Sequence, residues 1–283
     1  MKTGMVETEK EGMMRKIALC MIVALVLFAG TAFAEEKIRI AGSGSMIPLL
    51  NDLAKTYMAE NKNVVIEINQ KSIESTGGVQ SAAAGQIEIG MASRALKDDE
   101  KTLGLQAIEI SRVAAAIGVN KSVTVREISS ENLCKVYSGA IATWKDLGGT
   151  AERITPLTRP ESDAAKVVLR AGITCFRNLK ESSSVVVVPT APEMNKLLSN
   201  RPGSIGITDA TAVDDSGGAI IALKLDGVAP TSDNVKSGKY KIIKDNYLVT
   251  KGEPAGAVKA FIAFIRGPKG AKIIESNQAV PFK

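Results

Sequence analysis

A chain of 283 residues is too long for one small domain and fits a protein of two domains of moderate size. Apolar residues make up 45% of it and aromatic residues only 4%. Val, Ile, Leu and Ala must therefore build the core, as is usual for buried parallel strands covered by helices. The chain has no histidine, which excludes Ser–His–Asp and Cys–His nucleophiles and every metal site that uses imidazole. The net charge of +6 is mild and scattered, so nucleic acid is not an expected partner, whereas an anionic ligand suits it.

The N-terminus has the pattern of an export signal. Arg15 and Lys16 precede an apolar run over residues 17–29, and Ala32 and Ala34 are the small residues that signal peptidase inspects. The run is shorter than the roughly 20 apolar residues of a spanning helix. We therefore predict that residues 1–34 are a cleaved signal peptide and that the mature protein is periplasmic. An uncleaved membrane anchor is the alternative.

Strands and helices are predicted to alternate along the first half of the mature chain. Apolar residues at every second position indicate strands, and apolar residues three and four apart indicate helices. In chain order these elements are a strand at 37–41, a Gly/Ser turn at 42–45, a helix at 49–57, a strand at 64–68, a helix at 79–84, and strands at 87–91 and 113–119. This order is typical of an α/β fold with a parallel sheet, and the last strand is expected to pass between two lobes.

The second half continues the alternation. Four consecutive valines at 185–188 have the pattern of a strand buried on both faces. Thr190, Pro192 and Glu193 predict a helix start with a capping box. The predicted elements are helices at 130–137 and 162–170, strands at 154–157, 185–188 and 204–208, a helix after Thr190, a surface loop at 229–239, and a helix at 258–265.

Three Ser/Gly segments follow predicted strands. Backbone N–H groups in such turns, together with serine hydroxyls and a helix N-terminus, bind phosphate- or sulfate-like groups. Because strand ends gather at one edge of a parallel sheet, we expect the three segments to converge. A glycine turn that only starts a helix is the alternative for each one. The candidate ligand-binding residues are Ser43, Gly44 and Ser45 in the first segment, Ser75, Thr76 and Gly77 in the second, and Ser93 and Arg94 in the third.

A fourth segment combines an arginine with a helix cap. Arg159 follows a predicted strand and would reach the same anion across a cleft, where it joins Arg94, which is expected to be a bidentate donor. Ser162 or Asp163 is the predicted cap of the next helix, and either would also touch the ligand.

Two cysteines, Cys134 and Cys175, follow the predicted cleavage site. In an oxidising compartment a pair is more often bridged than free. The sequence leaves both a disulfide and two free thiols open, because the separation of the two residues in the fold decides between them.

These segments, in this order, resemble the PstS-like family, the phosphate-binding components of phosphate ABC importers. Residues 132–139 and 143–149, with their Trp turn, are the most specific match. The matching segments are 42–45, 75–78, 90–94, 132–139, 143–149, 203–207 and 260–270. The main departure follows Arg159, where the family usually has a Ser-Gly-Thr run and this chain has Asp163, Ala164 and Ala165. Asp163 would either repel a dianion or accept the proton of HPO₄²⁻.

The resemblance implies a type II periplasmic-binding-protein fold, an α/β architecture of two lobes with the ligand in the cleft between them. Lobe one is expected over residues 35–117 and 212–283, and lobe two over 118–211. The implied function is capture of a small oxyanion, most of all phosphate, by a monomer that works with an ABC importer permease and needs no metal or cofactor. A sensing or accessory binding module is the alternative. An enzyme such as a phosphatase is disfavoured, because the chain lacks histidine and shows no metal-ligand cluster.

Overall fold

A computed structural model describes residues 35–282 of the chain. Its strands, numbered β1 to β12, span Glu36–Gly42, Val64–Ile68, Ile89–Ala92, Leu105–Asn120, Glu127–Ile128, Thr155–Thr158, Val186–Val187, Ser204–Asp209, Ile220–Ala222, Lys224–Leu225, Ile243–Lys251 and Val280–Pro281. Its helices, numbered α1 to α10, span Ile47–Glu60, Glu74–Ala83, Asp98–Lys101, Ser130–Ser138, Ala164–Gly172, Ala191–Asn200, Ala210–Asp215, Ser232–Lys236, Gly256–Arg266 and Pro268–Ser276. The predicted signal peptide, residues 1–34, lies outside the described residues.

Ten of the described strands join one sheet. Its order is β2-β1-β3-β11-β4-β8-β6-β7, with β9 and β12 paired beside β4. The pairs β1–β3, β8–β6 and β6–β7 are parallel, whereas β4 and β11 run antiparallel to their neighbours. The predicted α/β class is therefore confirmed, and the carboxyl ends of β1 and β3 lie side by side.

Strand β4 links the two halves of this sheet, as the sequence predicts for its apolar segment. Residues 105–114 of β4 pair with β11, and residues 115–120 pair with β8 and β9. The fold is the expected two-lobed one, and the residue limits of the lobes stay a prediction. Residues 220–222 pair with residues 118–120 of β4, and residues 224–225 pair with β5, so this part of predicted lobe one contacts strands of predicted lobe two.

Three predicted elements differ from the structure. The second helix begins at Glu74 rather than at residue 79, so the Ser/Gly segment 75–78 lies within the helix rather than before it. The four valines do not form a buried strand, because β7 is a two-residue edge strand in which Val187 is 59% exposed. The segment 229–239 contains the short helix α8. The capping box at Thr190 is confirmed, with Glu193 as its partner.

Buried aromatic residues and a disulfide hold the second half of the sheet in place. Burial, with the nearby Glu181 carboxylate, raises the pKa of Tyr137. Its hydroxyl donates to the Leu157 carbonyl of β6, at 2.8 Å. Trp144 is fully buried, and its indole N–H donates to a carbonyl that precedes β8. Cys134 of α4 and Cys175 are joined by a disulfide with their Cα atoms 6.3 Å apart. Helices long and apolar enough to cross a membrane are not found between residues 35 and 282.

Candidate functional site

Three serine hydroxyls meet where β1 and β3 end. Ser43 and Ser45 follow β1, and Ser93 follows β3. Their Oγ atoms lie 2.9 Å (Ser43–Ser93), 3.1 Å (Ser45–Ser93) and 3.2 Å (Ser43–Ser45) apart. Ser75, in the first turn of α2, accepts the backbone N–H of Ser93 at 3.1 Å. The predicted convergence of the three Ser/Gly segments is thus present in the structure, and we call these four residues the serine cluster.

Glycines make this convergence possible by letting backbones touch. A Cβ on Gly78 of α2 would lie 2.8 Å from the Cα of Gly42 at the end of β1, closer than any real contact. A Cβ on Gly90 of β3 would lie 2.5 Å from the Gly78 carbonyl oxygen. Gly42 also has φ of +147°, a region that side chains rarely adopt. Helix α2 therefore packs directly on β1 and β3, which brings Ser75 beside Ser43 and Ser93.

Lys244 is a site residue that the sequence prediction missed. It lies on β11 and is only 3% exposed. Its Nζ donates to the Ser45 hydroxyl at 3.1 Å and to Asp209, at the end of β8, at 2.9 Å. A buried lysine is stable as a cation when a carboxylate pairs with it. The positive charge of Lys244 therefore reaches the serine cluster while Asp209 compensates it.

Arg159 follows β6 and enters the cavity from the second half of the sheet. It is 2% exposed. Its Nη1 donates to the Val188 carbonyl at 2.8 Å, and its Nη2 donates to Asp163 at 2.8 Å and to Glu74 at 3.2 Å. The guanidinium is therefore held at a fixed position by one carbonyl and two carboxylates.

Of the two residues predicted as the helix cap, Ser162 and Asp163, Asp163 is the cap. Its Oδ1 accepts the backbone N–H groups of Ala165 and Lys166 at 3.0 and 3.2 Å, and its Oδ2 accepts from Arg159. This carboxylate lies where the sequence departs from the family that it resembles. It occupies two N–H donors of α5 and places a negative charge beside the arginine.

Glu74 is a second residue that the sequence prediction missed. It is the first residue of α2 and has φ of +59°, which is uncommon for a residue other than glycine. Its carboxylate accepts from the Ser72 hydroxyl at 2.9 Å and from Arg159, which is 85 residues away in sequence. Glu74 therefore connects α2 to the segment after β6.

Arg94 does not face this cavity. Its guanidinium donates two hydrogen bonds of 2.7 Å to Glu100 and one of 3.0 Å to the Thr76 hydroxyl. Burial alone would raise the pKa of Glu100, but hydrogen bonds from Arg94 and from the Lys97 backbone outweigh it and hold that pKa below its usual range. Arg94 is not among the residues that line the cavity, so the structure does not bring it together with Ser45, Ser75 and Ser93.

The other candidate residues also lie off the main cavity. A Cβ on Gly44 would lie 2.7 Å from Pro192 and 2.8 Å from Ser72, so its role is close packing. Gly77 lies inside α2, where a Cβ would meet the side chain of Ile73. Thr76 and Ser162 line a neighbouring chamber of about 110 Å³.

The cavity itself measures about 20 Å³, which is room for roughly one water molecule. Two cations and three carboxylates line it, so every cation has a carboxylate partner. Within the described residues, no group of three or more Asp, Glu or Cys side chains is placed to hold a metal ion. The lining includes Ser43, Ser45, Ser75, Ser93, Arg159, Lys244, Glu74, Asp163, Asp209, Asn195 and Thr208.

Relatives of known sequence are phosphate-binding proteins. The chain is 28% identical to the phosphate-binding protein PstS of Bacillus subtilis over 252 residues, which cover 88% of this chain and 81% of that protein. It is 24% identical to the phosphate-binding protein PstS of Borreliella burgdorferi over 250 residues, which cover 86% of this chain and 89% of that protein.

Solved structures agree with these relatives. A Clostridium perfringens protein, described as a phosphate ABC transporter substrate-binding protein and solved with bound phosphate, superposes with a TM-score of 0.79 at 29% identity. The match covers 88% of this chain and all of that one. An ABC-type phosphate transport receptor from Vibrio cholerae has a TM-score of 0.63 at 25% identity, over 86% of this chain and 99% of the other.

The family match spans most of the chain. Residues 29–269 fit the family described as the PBP superfamily domain. Together with the two-lobed fold, the serine cluster at the strand ends and the PstS relatives, this match shows that the chain belongs to the periplasmic-binding-protein (PBP) superfamily.

Proposed function

We propose that this protein is an extracytoplasmic solute-binding protein that captures a small oxyanion, phosphate above all, and delivers it to the permease of an ABC importer. The observation that carries the proposal is the cavity in which the serine cluster, Arg159 and Lys244 face one another. Neutral hydroxyls and two cations form a donor set that suits a tetrahedral oxyanion.

Each part of the site has a distinct task in this proposal. The hydroxyls of Ser43, Ser45 and Ser93 now hydrogen bond to one another and would turn to donate to ligand oxygens, because a hydroxyl rotates to suit its acceptor. Arg159 supplies a charged donor from the second lobe. Lys244 supplies the second charge, and its position on β11 holds that charge at the junction of the two halves of the sheet.

Capture is a conformational step rather than a reaction. Because the cavity has room for about one water molecule, the lobes must part to admit an oxyanion and then close on it. The PBP relatives are solute-binding proteins, and the proposed role of this chain is likewise not enzymatic. Export through a cleaved signal peptide, a periplasmic location and a monomeric state are parts of the same proposal.

Calorimetric titration of the exported protein tests the function directly. Phosphate, sulfate, molybdate and a small organic acid are titrated separately at one pH and ionic strength. We expect phosphate to bind most tightly. A protein that binds none of these oxyanions, or that binds only the organic acid, would contradict the proposal. Binding of phosphate without any importer permease among its partners would favour the sensing alternative.

A further inference from the structure

Glu74 has a backbone conformation that calls for an explanation. Its φ of +59° is the left-handed region, which disfavours residues with a Cβ. The side chain is held from two sides, by the Ser72 hydroxyl at 2.9 Å and by Arg159 at 3.2 Å. A residue that keeps an unfavourable φ while its side chain forms a long-range ion pair indicates a functional constraint.

The carboxylate of Glu74 binds the guanidinium of Arg159, which the ligand also needs. Nη2 of Arg159 donates to both Asp163 and Glu74, and Nη1 donates to a carbonyl. Asp163 is fixed, because its other oxygen caps helix α5. Among residues 35–282, the side chain of Glu74 is held by hydrogen bonds with Ser72 and Arg159, and it is 35% exposed. Of the two carboxylates, Glu74 is therefore the one that can leave.

The structure provides a place for Glu74 to go. A chamber of about 110 Å³ adjoins the cavity and shares Glu74, Ser75 and Asp163 with its lining. Thr76 and Ser162 also line this chamber, and hydroxyl groups accept or donate hydrogen bonds as needed. A rotated Glu74 side chain would enter the chamber and leave Nη2 of Arg159 to an incoming oxyanion.

We propose that Glu74 is a specificity-determining residue, a built-in carboxylate that an anion must displace from Arg159 and that thereby excludes monoanions. Because Glu74 is part of the chain, its carboxylate competes with a free anion for Arg159 at an effective concentration in the millimolar range or above. A monoanion that displaces Glu74 brings Arg159 one negative charge in place of another, and binding also costs the monoanion its translational freedom. A dianion such as HPO₄²⁻ brings two charges to the same guanidinium, so it gains attraction that a monoanion does not. This inference rests on the proposed capture of phosphate and adds how the same site rejects weaker anions.

Glu74→Gln tests the inference, because it keeps the shape of the side chain and removes its charge. The matched control is Glu88→Gln, which removes another Glu–Arg pair, Arg39–Glu88 at 2.6 Å, outside the cavity. Phosphate affinity is measured by calorimetry at pH 8, alone and with nitrate or formate added at millimolar concentration. We expect Glu74→Gln to bind phosphate about tenfold more tightly, the worth of one charge-assisted hydrogen bond. We also expect nitrate and formate to compete with phosphate in this variant only.

The outcomes separate the inference from the proposed function. Wild-type protein and Glu88→Gln should bind phosphate alike and ignore both monoanions. Equal or weaker phosphate binding by Glu74→Gln would overturn the inference while leaving phosphate capture intact. Failure of the wild type to bind phosphate would instead overturn the function. If Glu74→Gln does not fold, Glu74→Gly carries the same expectation, since glycine adopts a φ of about +59° without strain.

Discussion

Neutralising Arg159 separates its part in anion binding from its part in stability. The change is Arg159→Gln, which removes a guanidinium that is 2% exposed and bonded to Asp163 at 2.8 Å. A charge-assisted hydrogen bond is worth roughly 1.5–3 kcal/mol. Phosphate affinity should therefore fall roughly ten- to hundredfold.

The same change also endangers the fold. The Asp163 side chain is only 10% exposed, and a buried carboxylate that loses its cation costs about 3–5 kcal/mol of stability. A second change, Asp163→Asn, removes that charge and keeps a helix cap, because asparagine caps as well as aspartate. The double variant should regain most of the free energy of unfolding and still bind phosphate at least tenfold more weakly than wild type.

Urea unfolding gives the stability and calorimetric titration gives the affinity of each variant. Arg170→Gln is the matched control, since Arg170 lies on helix α5, the helix that follows Arg159, and pairs with the exposed Glu161 outside the cavity. It should bind phosphate like wild type. A double variant of Arg159 and Asp163 that bound phosphate as tightly as wild type would refute a role for the guanidinium in the site.

Three further predictions concern other parts of the structure. Replacing both Cys134 and Cys175 by serine should lower the free energy of unfolding by ~4 kcal/mol, because their bridge spans a sequence separation of 41. Gly78→Ala should cost about 2 kcal/mol and weaken phosphate binding, because its Cβ would lie 2.8 Å from the β1 backbone. Arg94→Met should cost about 3 kcal/mol at pH 7 and leave phosphate affinity unchanged. The lowered pKa of Glu100 means that this contribution is present above the unfolded pKa of about 4.3 and is lost as the pH falls through the folded pKa.

Each of these predictions has an outcome that contradicts it. Equal urea midpoints with and without the cysteines would show that the bridge adds nothing to stability. A Gly78→Ala protein with unchanged melting temperature and affinity would mean that helix α2 does not need its contact with β1. Tenfold weaker phosphate binding by Arg94→Met would show that Arg94 contributes to the anion site. A loss of stability in this variant that stays the same from pH 7 to pH 3 would rule out the assigned role of Glu100.

Local patterns were sufficient to predict much of the fold and part of the site. Strand-end turns place Ser43, Ser45 and Ser93 together because parallel strands present their carboxyl ends at one edge. The helix caps at Asp163 and Thr190 follow from side chains that bind N–H groups only a few residues away. In each of these cases the deciding interaction is local or follows from the geometry of a parallel sheet.

The residues that escaped prediction depend on partners far away in sequence. Lys244 lies in a strand whose first half is polar, and its buried charge is paired with Asp209, which is 35 residues away in sequence. Glu74 resembles an ordinary acidic residue at a helix start, which the helix dipole favours, and its partner is 85 residues away. Val187 belongs to a run of four valines, a composition typical of an interior strand. It is nevertheless exposed, because its strand β7 lies at the edge of the sheet.

The long strand β4 has a mechanical consequence. It belongs to both halves of the sheet and pairs with β11 in antiparallel register from residue 105 to residue 114. Where β4 passes from one half to the other, the backbone N–H of Ala115 donates to the carbonyl of Ile242, directly before β11, so a ribbon of two hydrogen-bonded strands reaches this junction. Such a ribbon bends readily out of its plane and resists shear within it, since shear would slide one row of hydrogen bonds past the other. Opening of the cleft should consequently be a rotation about one axis across the ribbon, with Lys244, two residues beyond Ile242, close to that axis.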